Sequence, residues 1–485
     1  MSISSALANA NSGLSVASRR ASVVSNNVAN ALTPGYSRRG VDLGENVIAG
    51  KGAGVSVNGI TRAANQALTN DRRTAESTSY RDQELASAYA KFNTALGEPD
   101  DAFSMFGQYQ DLESSLRSLA LTPESIPLQS QLLDSAKSLA SRFNQLSSQT
   151  QSMRAEADAK IAQSVDIVNA NLGEIEKLNV QISRGASTGR DTSGLEDQRK
   201  ILIDEVAGII PVREIARDNN KIDLMTNEGV FLLAGKARQV EFTRANTIAF
   251  DTTLAGGQLS GLSVEGIDIT PGTSASFALQ QGSLAGQFEI RDQVAPDFQT
   301  KLDALARDMM QRFEDADPTL AVGAPGLFTD NGAAFDPLAE AGLAGRISVN
   351  AAVDPDQGGE LWRLRDGIGA ASEGAAGNAD LIFMLLDGLS ELRTPPPGSG
   401  LNSQGTAIDA IANVTSIIGS ARVNSQTQLA ASSASAQALR EAETQETAVD
   451  TDFELQQLLA IEQAFAANAR VIQAASQMID TLMEL

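Results

Sequence analysis

Few side chains of this sequence have the types and spacing that chemistry requires. Gly229 and Gly235-Lys236 enclose five residues, whereas a phosphate-binding loop encloses four and continues with Ser or Thr. Asp354-Pro355-Asp356 begins like a calcium-binding loop, but its twelfth position is Arg365 instead of Glu. Each departure removes a group that the chemistry needs. We therefore interpret both segments as polar turns.

The acidic segment near the C-terminus is the remaining candidate for a metal site. Glu443, Glu446, Asp450, Asp452 and Glu454 could together hold a divalent ion, although a solvated helix face is the favoured interpretation. The sequence has no His and no Cys, so thiol catalysis and disulfides are excluded and zinc would have only carboxylate ligands. We expect no catalytic residue, no cofactor and no metal, and hence no enzyme activity.

Composition and charge narrow the possible partners. The 485 residues include 37 basic and 60 acidic ones, for a net charge of −23, so we expect neither nucleic acid nor an anionic membrane as a partner. The length suffices for roughly two to four domains. No stretch reaches the roughly twenty apolar residues of a membrane-spanning helix. Polar residues also interrupt the N-terminal segment where a cleavable signal would need an apolar run.

Both ends of the sequence have apolar residues spaced alternately by three and four. At the N-terminus this line comprises Ile3, Leu7, Ala10, Leu14, Ala17, Ala21, Val24, Val28 and Ala31. At the C-terminus it comprises Leu455, Leu458, Phe465, Ala469, Ile472, Ile479 and Met483, with interruptions at Glu462 and Ser476. A narrow apolar seam at each end predicts two terminal helices that pair as a coiled coil.

Between the terminal helices the pattern predicts long helices and one β-rich insertion. Pro34 should end the first helix, because its ring disfavours helical backbone at Thr33. In chain order we predict a loop with short strands at 37–62, helices at 63–96 and 128–184, strands at 209–290, a helix at 292–315, loops at 316–358 and helices from 406 onward. Whether the last helical stretch breaks between 447 and 454 stays open.

The predicted fold is mainly α with an inserted β-rich domain. It is elongated, nested and multi-domain, with the N- and C-terminal helices paired and the middle of the chain farthest from them. The predicted domains are a terminal coiled-coil unit (1–45 plus 448–485), a long-helix unit (46–208 plus 283–447) and an inserted β-rich outer unit (209–282).

The segment that ends the first helix carries a recognisable motif. Residues 26–37 read Asn-Asn-Val-Ala-Asn-Ala-Leu-Thr-Pro-Gly-Tyr-Ser. They resemble the N-terminal signature of the flagellar axial proteins, the family of rod, hook and hook-associated subunits. The matching positions are Asn26, Asn27, Ala29, Asn30, Thr33, Pro34, Gly35 and Tyr36. Residues 462–465, 469–472 and 478–482 resemble the closing helix of the same family.

The resemblance implies a structural subunit without catalysis, most like the members that join hook and filament. It implies export of the unfolded chain through the flagellar type III apparatus and a secreted, extracellular location in the flagellum. The implied partners are further copies of the chain in a ring or helical assembly, the flagellar hook protein, the second junction protein (hook-associated protein 3), an export chaperone and the export gate. We expect both termini to be loose until they pair on assembly.

Two alternatives stay open. The first is a rod or hook subunit, although the Gly-x-Gly-Phe-Phe type of segment that such subunits typically carry is missing here. The second is an adhesin or enzyme exported by the same route, whose β-rich domain would bind a surface. The lack of His and Cys argues against the enzyme.

The Asn-rich motif has two interpretations. Asn and Thr can cap a helix end while Pro34 stops the helix and Gly35 permits a turn. Because Asn has a poor helix propensity, we also expect these side chains to hydrogen-bond neighbouring subunits, with Tyr36 wedged in the contact. The predicted subunit interface comprises Ile3, Leu7, Leu14, Val24, Asn26, Asn27, Val28, Asn30, Thr33, Pro34, Gly35, Tyr36, Leu455, Leu458, Phe465, Ile472, Ile479 and Leu482.

The two ends of the sequence carry net charges of opposite sign. Residues 1–62 contain six basic and two acidic side chains, whereas residues 441–485 contain one basic and nine acidic ones. We expect this contrast to favour pairing of the two termini, although an exposed ion pair contributes only about 0.2–1 kcal/mol.

Overall fold

The computed structural model describes residues 3–48, 51–401 and 404–483. Its helices are α1 (Ile3–Ala29), α2 (Gln66–Leu96), α3 (Met105–Leu121), α4 (Ile126–Ser187), α5 (Ser193–Ile209), α6 (Ser283–Glu289), α7 (Ala295–Ala316), α8 (Arg363–Asp366), α9 (Asp380–Ser390), α10 (Ala407–Thr447) and α11 (Thr451–Met483). Its strands are β1 (Arg39–Ile48), β2 (Lys51–Arg62), β3 (Val212–Ala216), β4 (Ile222–Thr226), β5 (Phe231–Ala234), β6 (Lys236–Ala237), β7 (Val240–Glu241), β8 (Ser263–Val264), β9 (Ile267–Asp268), β10 (Phe328–Asp330) and β11 (Ile347–Val349).

Helices from the two halves of the chain pair in a nested order. The outermost pair is α1 with α11, and the next pair is α2 with α10. Both ends of the chain therefore lie together, which confirms the predicted fold class: mainly helical, nested, with a β-rich insertion. Among the described residues, no helix is both long and apolar enough to cross a membrane.

The long helices begin and end where the sequence predicts. The side chain of Asn65 caps α2 by accepting a hydrogen bond from the Leu68 amide, and Gly97, at φ +81°, ends it. In α4, Pro127 lies in the first turn, where its missing N–H costs nothing. At 62 residues α4 is about 90 Å long. It therefore needs cover from several neighbours, and α3, α5, α6 and α7 provide it.

Two hydrophobic cores lie along α4. The first half of α4 packs with α3, α7 and α9, and Phe92 meets Phe298 there with ring centroids 4.3 Å apart. The second half packs with α5, α6 and strands β3 to β9. The strands of residues 209–282 thus share their core with helices on both sides in sequence. The division into a terminal, a long-helix and a β-rich domain therefore stays a proposal, which concerns the parts that act in assembly.

Residues 39–62 correct the expectation of a loop with short strands. The described residues of this range pair as two long antiparallel strands, β1 and β2, of ten and twelve residues. Its glycines suggested a loop, but Val55 and Val57 alternate on a strand that packs against α1. The predicted domain boundary at residue 45 therefore falls inside a strand.

The stretch between α10 and α11 answers the question that the sequence left open. Helix α10 ends at Thr447 and α11 starts at Thr451, so the helical stretch is broken. The carboxylate of Asp450 accepts hydrogen bonds from the Asp452 and Phe453 amides at 3.0 and 3.1 Å, which caps the new helix.

Candidate subunit interface

The apolar seam of α1 faces α11 as the sequence predicts. Ala17 and Val24 are buried, and together with half-buried Ala21 they pack against Ile461 of α11. These four side chains form one small apolar cluster between the two helices, and Ala10 of α1 and Ala475 of α11 are also buried. The terminal pair therefore rests on a small apolar contact, much smaller than either core along α4.

The seam predicted for α11 is out of phase. The buried residues of this helix are Glu454, Ile461 and Ala475, whereas Leu455 is 50% exposed and Phe465 is 47% exposed. The two interruptions of the predicted line, Glu462 and Ser476, directly follow Ile461 and Ala475 in the chain. The line through the largest apolar residues is therefore displaced by one position from the line that contacts α1.

Most apolar side chains of α11 consequently point away from α1. Ile472 and Ile479 are partly buried, but a set of large apolar residues is exposed on both flanks of the α1 contact. This exposed set comprises Leu455, Leu458, Leu459, Phe465, Val471, Met478 and Leu482. A helix that is apolar on several sides needs neighbours on several sides. Among the described residues, α1 is the main element that packs against α11.

The predicted interface residues of α1 and the following turn are partly or fully at the surface. Ile3, Leu7 and Leu14 are half-buried, and Val28 is 37% exposed. Val24 is buried against α11. The exposed motif residues are Asn26, Thr33, Pro34 and Gly35. Whether they contact other subunits stays a prediction.

Asn27 differs from the rest of the motif because it is 1% exposed. Its amide nitrogen donates to the Arg39 carbonyl oxygen at 2.9 Å and to Glu454 Oε1 at 3.0 Å. Its carbonyl oxygen accepts from the Tyr36 hydroxyl at 2.8 Å and from the Arg39 amide at 3.0 Å. An Asn side chain can make four hydrogen bonds, and all four are formed within the chain. These bonds account for the buried position of Asn27, and its role in the subunit interface stays a prediction.

Tyr36 also makes its contacts within the chain. Besides its bond to Asn27, the Arg39 guanidinium lies over its ring, 4.7 Å from the centroid. Burial raises the pKa of the Tyr36 hydroxyl. Asn30 donates to the Asn26 carbonyl oxygen at 2.9 Å, and Gly35 has φ +77°. These features fit the helix-cap and turn interpretation of the motif.

A carboxylate missed by the sequence analysis joins this terminal unit to the body. Asp197 of α5 accepts from Arg39 at 3.2 Å and from Arg62 at 2.6 Å, so it holds both ends of the β1–β2 hairpin. The Arg38 amide also donates to the Thr447 carbonyl oxygen at 2.8 Å. No local pattern marks Asp197, because its partners lie 135 and 158 residues away in the chain.

The acidic segment is not a uniformly solvated face, which corrects that expectation for two of its members. Glu443 is buried and bonds Arg72, Lys200 (2.8 Å) and Thr69 (2.7 Å). Burial alone would raise the pKa of Glu443, but the Lys200 and Thr69 hydrogen bonds and the nearby cations lower it to about 2. Glu454 is also buried, and burial raises its pKa despite the bond from Asn27.

The other candidate chemical segments are structural. Gly229 and Gly235 have positive φ angles in turns between strands. Asp354 already accepts a hydrogen bond from Lys137 at 2.9 Å, and Arg365 pairs with Asp366 at 2.6 Å. Within the described ranges no group of three or more acidic residues is placed to hold a metal ion.

The opposite charges of the two ends do not pair within the chain. In the part of the chain that the structure describes, no ion pair joins residues 3–62 to residues 448–483. That the charge contrast favours pairing of the termini stays a prediction, and it does not act through ion pairs between the described residues of the two ends. The carboxylates of α11 and the arginines of α1 are left for other partners.

Three family models match the chain. Residues 89–319 match the flagellar hook-associated protein FlgK helical domain. Residues 445–485 match the C-terminal domain of the flagellar basal body rod FlgEFG proteins, and residues 7–36 match the flagella basal body rod protein. The two terminal matches cover α1 and α11, and the central match begins in α2 and ends just beyond α7.

Curated relatives of the chain carry one name, flagellar hook-associated protein 1. The Salmonella typhimurium protein is 29% identical over 52% of this chain and 47% of its own length. The chain therefore spans about half the length of this relative. The Escherichia coli protein is 27% identical over 64% of this chain and 56% of its own length. The Bacillus subtilis protein is 24% identical over 98% of this chain and 97% of its own length.

One similar solved structure is the flagellar hook junction protein FlgK from Burkholderia pseudomallei. It has a TM-score of 0.44 and 18% identity, over 54% of this chain and 47% of that chain. The family is shown by the match to the FlgK helical domain together with a relative matched along nearly its full length. The chain belongs to the flagellar hook-associated protein 1 (FlgK) family.

Proposed function

We propose that this chain is a structural subunit of the bacterial flagellum, located at the junction between hook and filament. The observation that carries the proposal is the exposed apolar set on α11, which flanks the α1 contact and is not covered by any of the residues that the structure describes. Large exposed apolar surfaces mark interaction sites. The names of the relatives support the hook-associated location.

In the proposed mechanism, the terminal helices insert between neighbouring subunits. The small cluster around Ile461 supports a terminal pair that opens in dilute solution and closes when the exposed set is covered. The predicted interface residues on α1, the turn after it and α11 would then be buried between copies. Limited proteolysis of the dilute monomer should cut both termini first and leave the α4 body intact.

The proposed partners follow from this location. Further copies would form the ring or helical layer, the hook protein would lie below, and the second junction protein would lie above. An export chaperone and the export gate would deliver the chain to the outside of the cell. The proposed role of the three predicted units is axial packing for the termini, spacing for the long helices and an outer surface for the β-rich unit. We propose no catalytic activity.

The test is electron microscopy of a strain that lacks this gene, combined with an assay for flagellin in the medium. The expected result is complete hooks without filaments and monomeric flagellin in the medium. Expression of the full chain should restore filaments. A chain that lacks residues 451–485 should fold through its two cores along α4 but should not restore them.

The other outcomes separate the alternative functions. A strain without hooks would assign the chain to the rod or hook, and normal filaments would overturn an axial role and favour an adhesin. The match of residues 89–319 to the hook-associated helical domain supports the junction role over a rod or hook role.

A further inference from the structure

A cavity of about 420 Å³ lies where α1, the base of the β1–β2 hairpin and the start of α11 meet. Four guanidinium groups line it, and the only carboxylate in its lining is that of Glu454. The four are Arg20, Arg38, Arg39 and Arg62. We call this cavity the arginine pocket. Its excess of positive charge makes it a site for an anionic group.

Two of the four guanidinium groups share one carboxylate, because Arg39 and Arg62 both pair with Asp197. Among the described residues, by contrast, neither Arg20 nor Arg38 forms an ion pair or a side-chain hydrogen bond. Arg38 lies over the Phe453 ring at 5.9 Å and lowers the pKa of Glu454 through its charge. Both side chains are half-buried. The four guanidinium groups of the arginine pocket therefore face two carboxylates, Asp197 and Glu454, and keep an excess of positive charge.

A carboxylate that has no ion pair among the described residues lies on α11. Glu462 is exposed, and it is seven residues after Leu455 and three before Phe465, so it shares their outward face. If other copies cover this face, the Glu462 carboxylate leaves water, which is costly unless a cation pairs with it. On the same helix the basic residue is Arg470, eight positions away and beyond the reach of a pair at three or four positions.

We propose that Glu462 of one copy enters the arginine pocket of a neighbouring copy and pairs there with Arg20 and Arg38. This inference rests on the proposed self-assembly, and it specifies how one copy is positioned against the next. Each copy would then offer a carboxylate on α11 and receive one at the base of α1. Such a contact between two different surfaces repeats from copy to copy and generates a ring or a helix.

Charge exchange tests the pair in the strain that lacks this gene. Glu462→Arg alone, or Arg20→Glu with Arg38→Glu, should lower the amount of chain incorporated per hook by about thirtyfold or more, because each leaves buried like charges. Combining all three substitutions should restore incorporation. Matched controls are Asp166→Arg and Arg244→Glu, two exposed residues without ion pairs, which should incorporate normally.

Cysteine crosslinking tests the geometry without altering either charge. The natural sequence has no Cys, so introduced thiols are the only ones. Thr61 lines the arginine pocket, and Ala466 lies one turn after Glu462 on the same face. Flagella built from a mixture of Thr61→Cys copies and Ala466→Cys copies should give a crosslinked dimer on oxidation. A mixture of Ser152→Cys and Ala466→Cys copies is the control.

The outcomes separate this inference from the proposed function. If the charge-reversed chains incorporate normally, or the mixed flagella give no dimer, the pocket contact is wrong while the junction role stands. A chain with both Thr61→Cys and Ala466→Cys that crosslinks only within itself would also overturn the contact. If the unaltered chain never reaches the hook, the proposed function itself fails.

Discussion

The side-chain amide of Asn27 donates a hydrogen bond of 3.0 Å to the carboxylate of Glu454, 427 residues later in the chain. Both side chains are at most 2% exposed. The bond joins the last turn of α1 to the first turn of α11, while the other bonds of Asn27 fix the start of β1 and the Tyr36 ring. This one amide therefore organises the three elements of the terminal unit.

Replacement of Asn27 by Ala should destabilise that unit by about 2–4 kcal/mol, because buried Glu454 and the Arg39 backbone lose their partners. Hydrogen exchange should become faster in α1 and α11 and stay unchanged in α4. Asn26→Ala is the matched control, since Asn26 is exposed and contributes only its backbone oxygen to the described hydrogen bonds. Equal exchange in both variants would contradict the role assigned to Asn27.

Two glycines of β2 should respond differently to Ala. At Gly54 the backbone has φ +102° and an added Cβ would lie 2.1 Å from Ser12 Oγ of α1, whereas at Gly59 nothing lies within 4 Å. Gly54→Ala should therefore cost about 1–3 kcal/mol and loosen the hairpin from α1. Gly59→Ala should be neutral or slightly stabilising. Thermal unfolding and hydrogen exchange of the two variants check this difference.

Glu443→Gln should destabilise the contact of α10 with α2 and α5 by about 3 kcal/mol at pH 7, because it leaves Arg72 and Lys200 without their shared carboxylate. The folded pKa of Glu443 is about 2, below its ordinary value of 4.5. Its contribution is therefore fully present above pH 4.5 and is lost as the pH falls toward 2. Urea unfolding of both chains between pH 7 and 3 should show the difference shrinking. Exposed Glu441→Gln is the control, with an expected difference near zero.

Asp303 should have the opposite pH dependence. It is buried without an ion pair among the described residues, and burial raises its pKa to about 6 from 3.8, although hydrogen bonds from the Ala344 and Gly342 amides and Gln299 and the charge of Arg346 act to lower it. Protonation of Asp303 favours the folded protein, because its pKa is higher in the folded than in the unfolded chain. The protein therefore loses stability as the pH rises from about 4 to about 6. Relative to Asp303→Asn, the natural chain should lose about 3 kcal/mol over that window. A constant difference in the free energy of unfolding would rule this out.

Substitutions at two nearby positions of α11 should distinguish a residue that stabilises the monomer from one that is needed for assembly. Ile461→Ala removes a side chain that is 4% exposed and should speed hydrogen exchange in the terminal helices, at a cost of about 2–4 kcal/mol. Leu459→Ala removes one that is 60% exposed and should leave the monomer unchanged while reducing incorporation at the hook. Reduced monomer stability in Leu459→Ala, with normal incorporation, would reverse the assignment of the two faces.

The sequence was sufficient for the long helices and the nested pairing, whereas the β1–β2 hairpin, α3 and α5 were not predicted as such. Helix ends are marked by Pro34 and Gly97, and the length of α4 is indicated by its lack of helix-breaking residues. Such signals come from the local backbone and do not depend on distant residues. The seam of α1 was also readable, because Ala17 and Val24, which contact α11, lie on the predicted apolar line.

The phase of α11 could not be read from apolarity. Its largest apolar side chains lie on the outer faces, while the inner line includes Glu454, a charged residue that is buried only because Asn27 satisfies one of its oxygens. A buried polar pair joins residues that are distant in the chain, so neither partner has a local signal. The available hint was the spacing of Glu454, Ile461 and Ala475 by seven and then fourteen residues, which places them on one side of a helix.

The pairing of α1 with α11 also sets an order of events during folding. Contacts between α1 and α11, such as the one that joins residues 427 positions apart, close a loop that spans most of the chain, and the entropy of that closure opposes the pair until the intervening chain is compact. The two cores along α4 can form from nearer segments. In a chain that emerges N-terminus first, α1 has no partner until α11 has emerged. We therefore expect the terminal unit to form last and to open first.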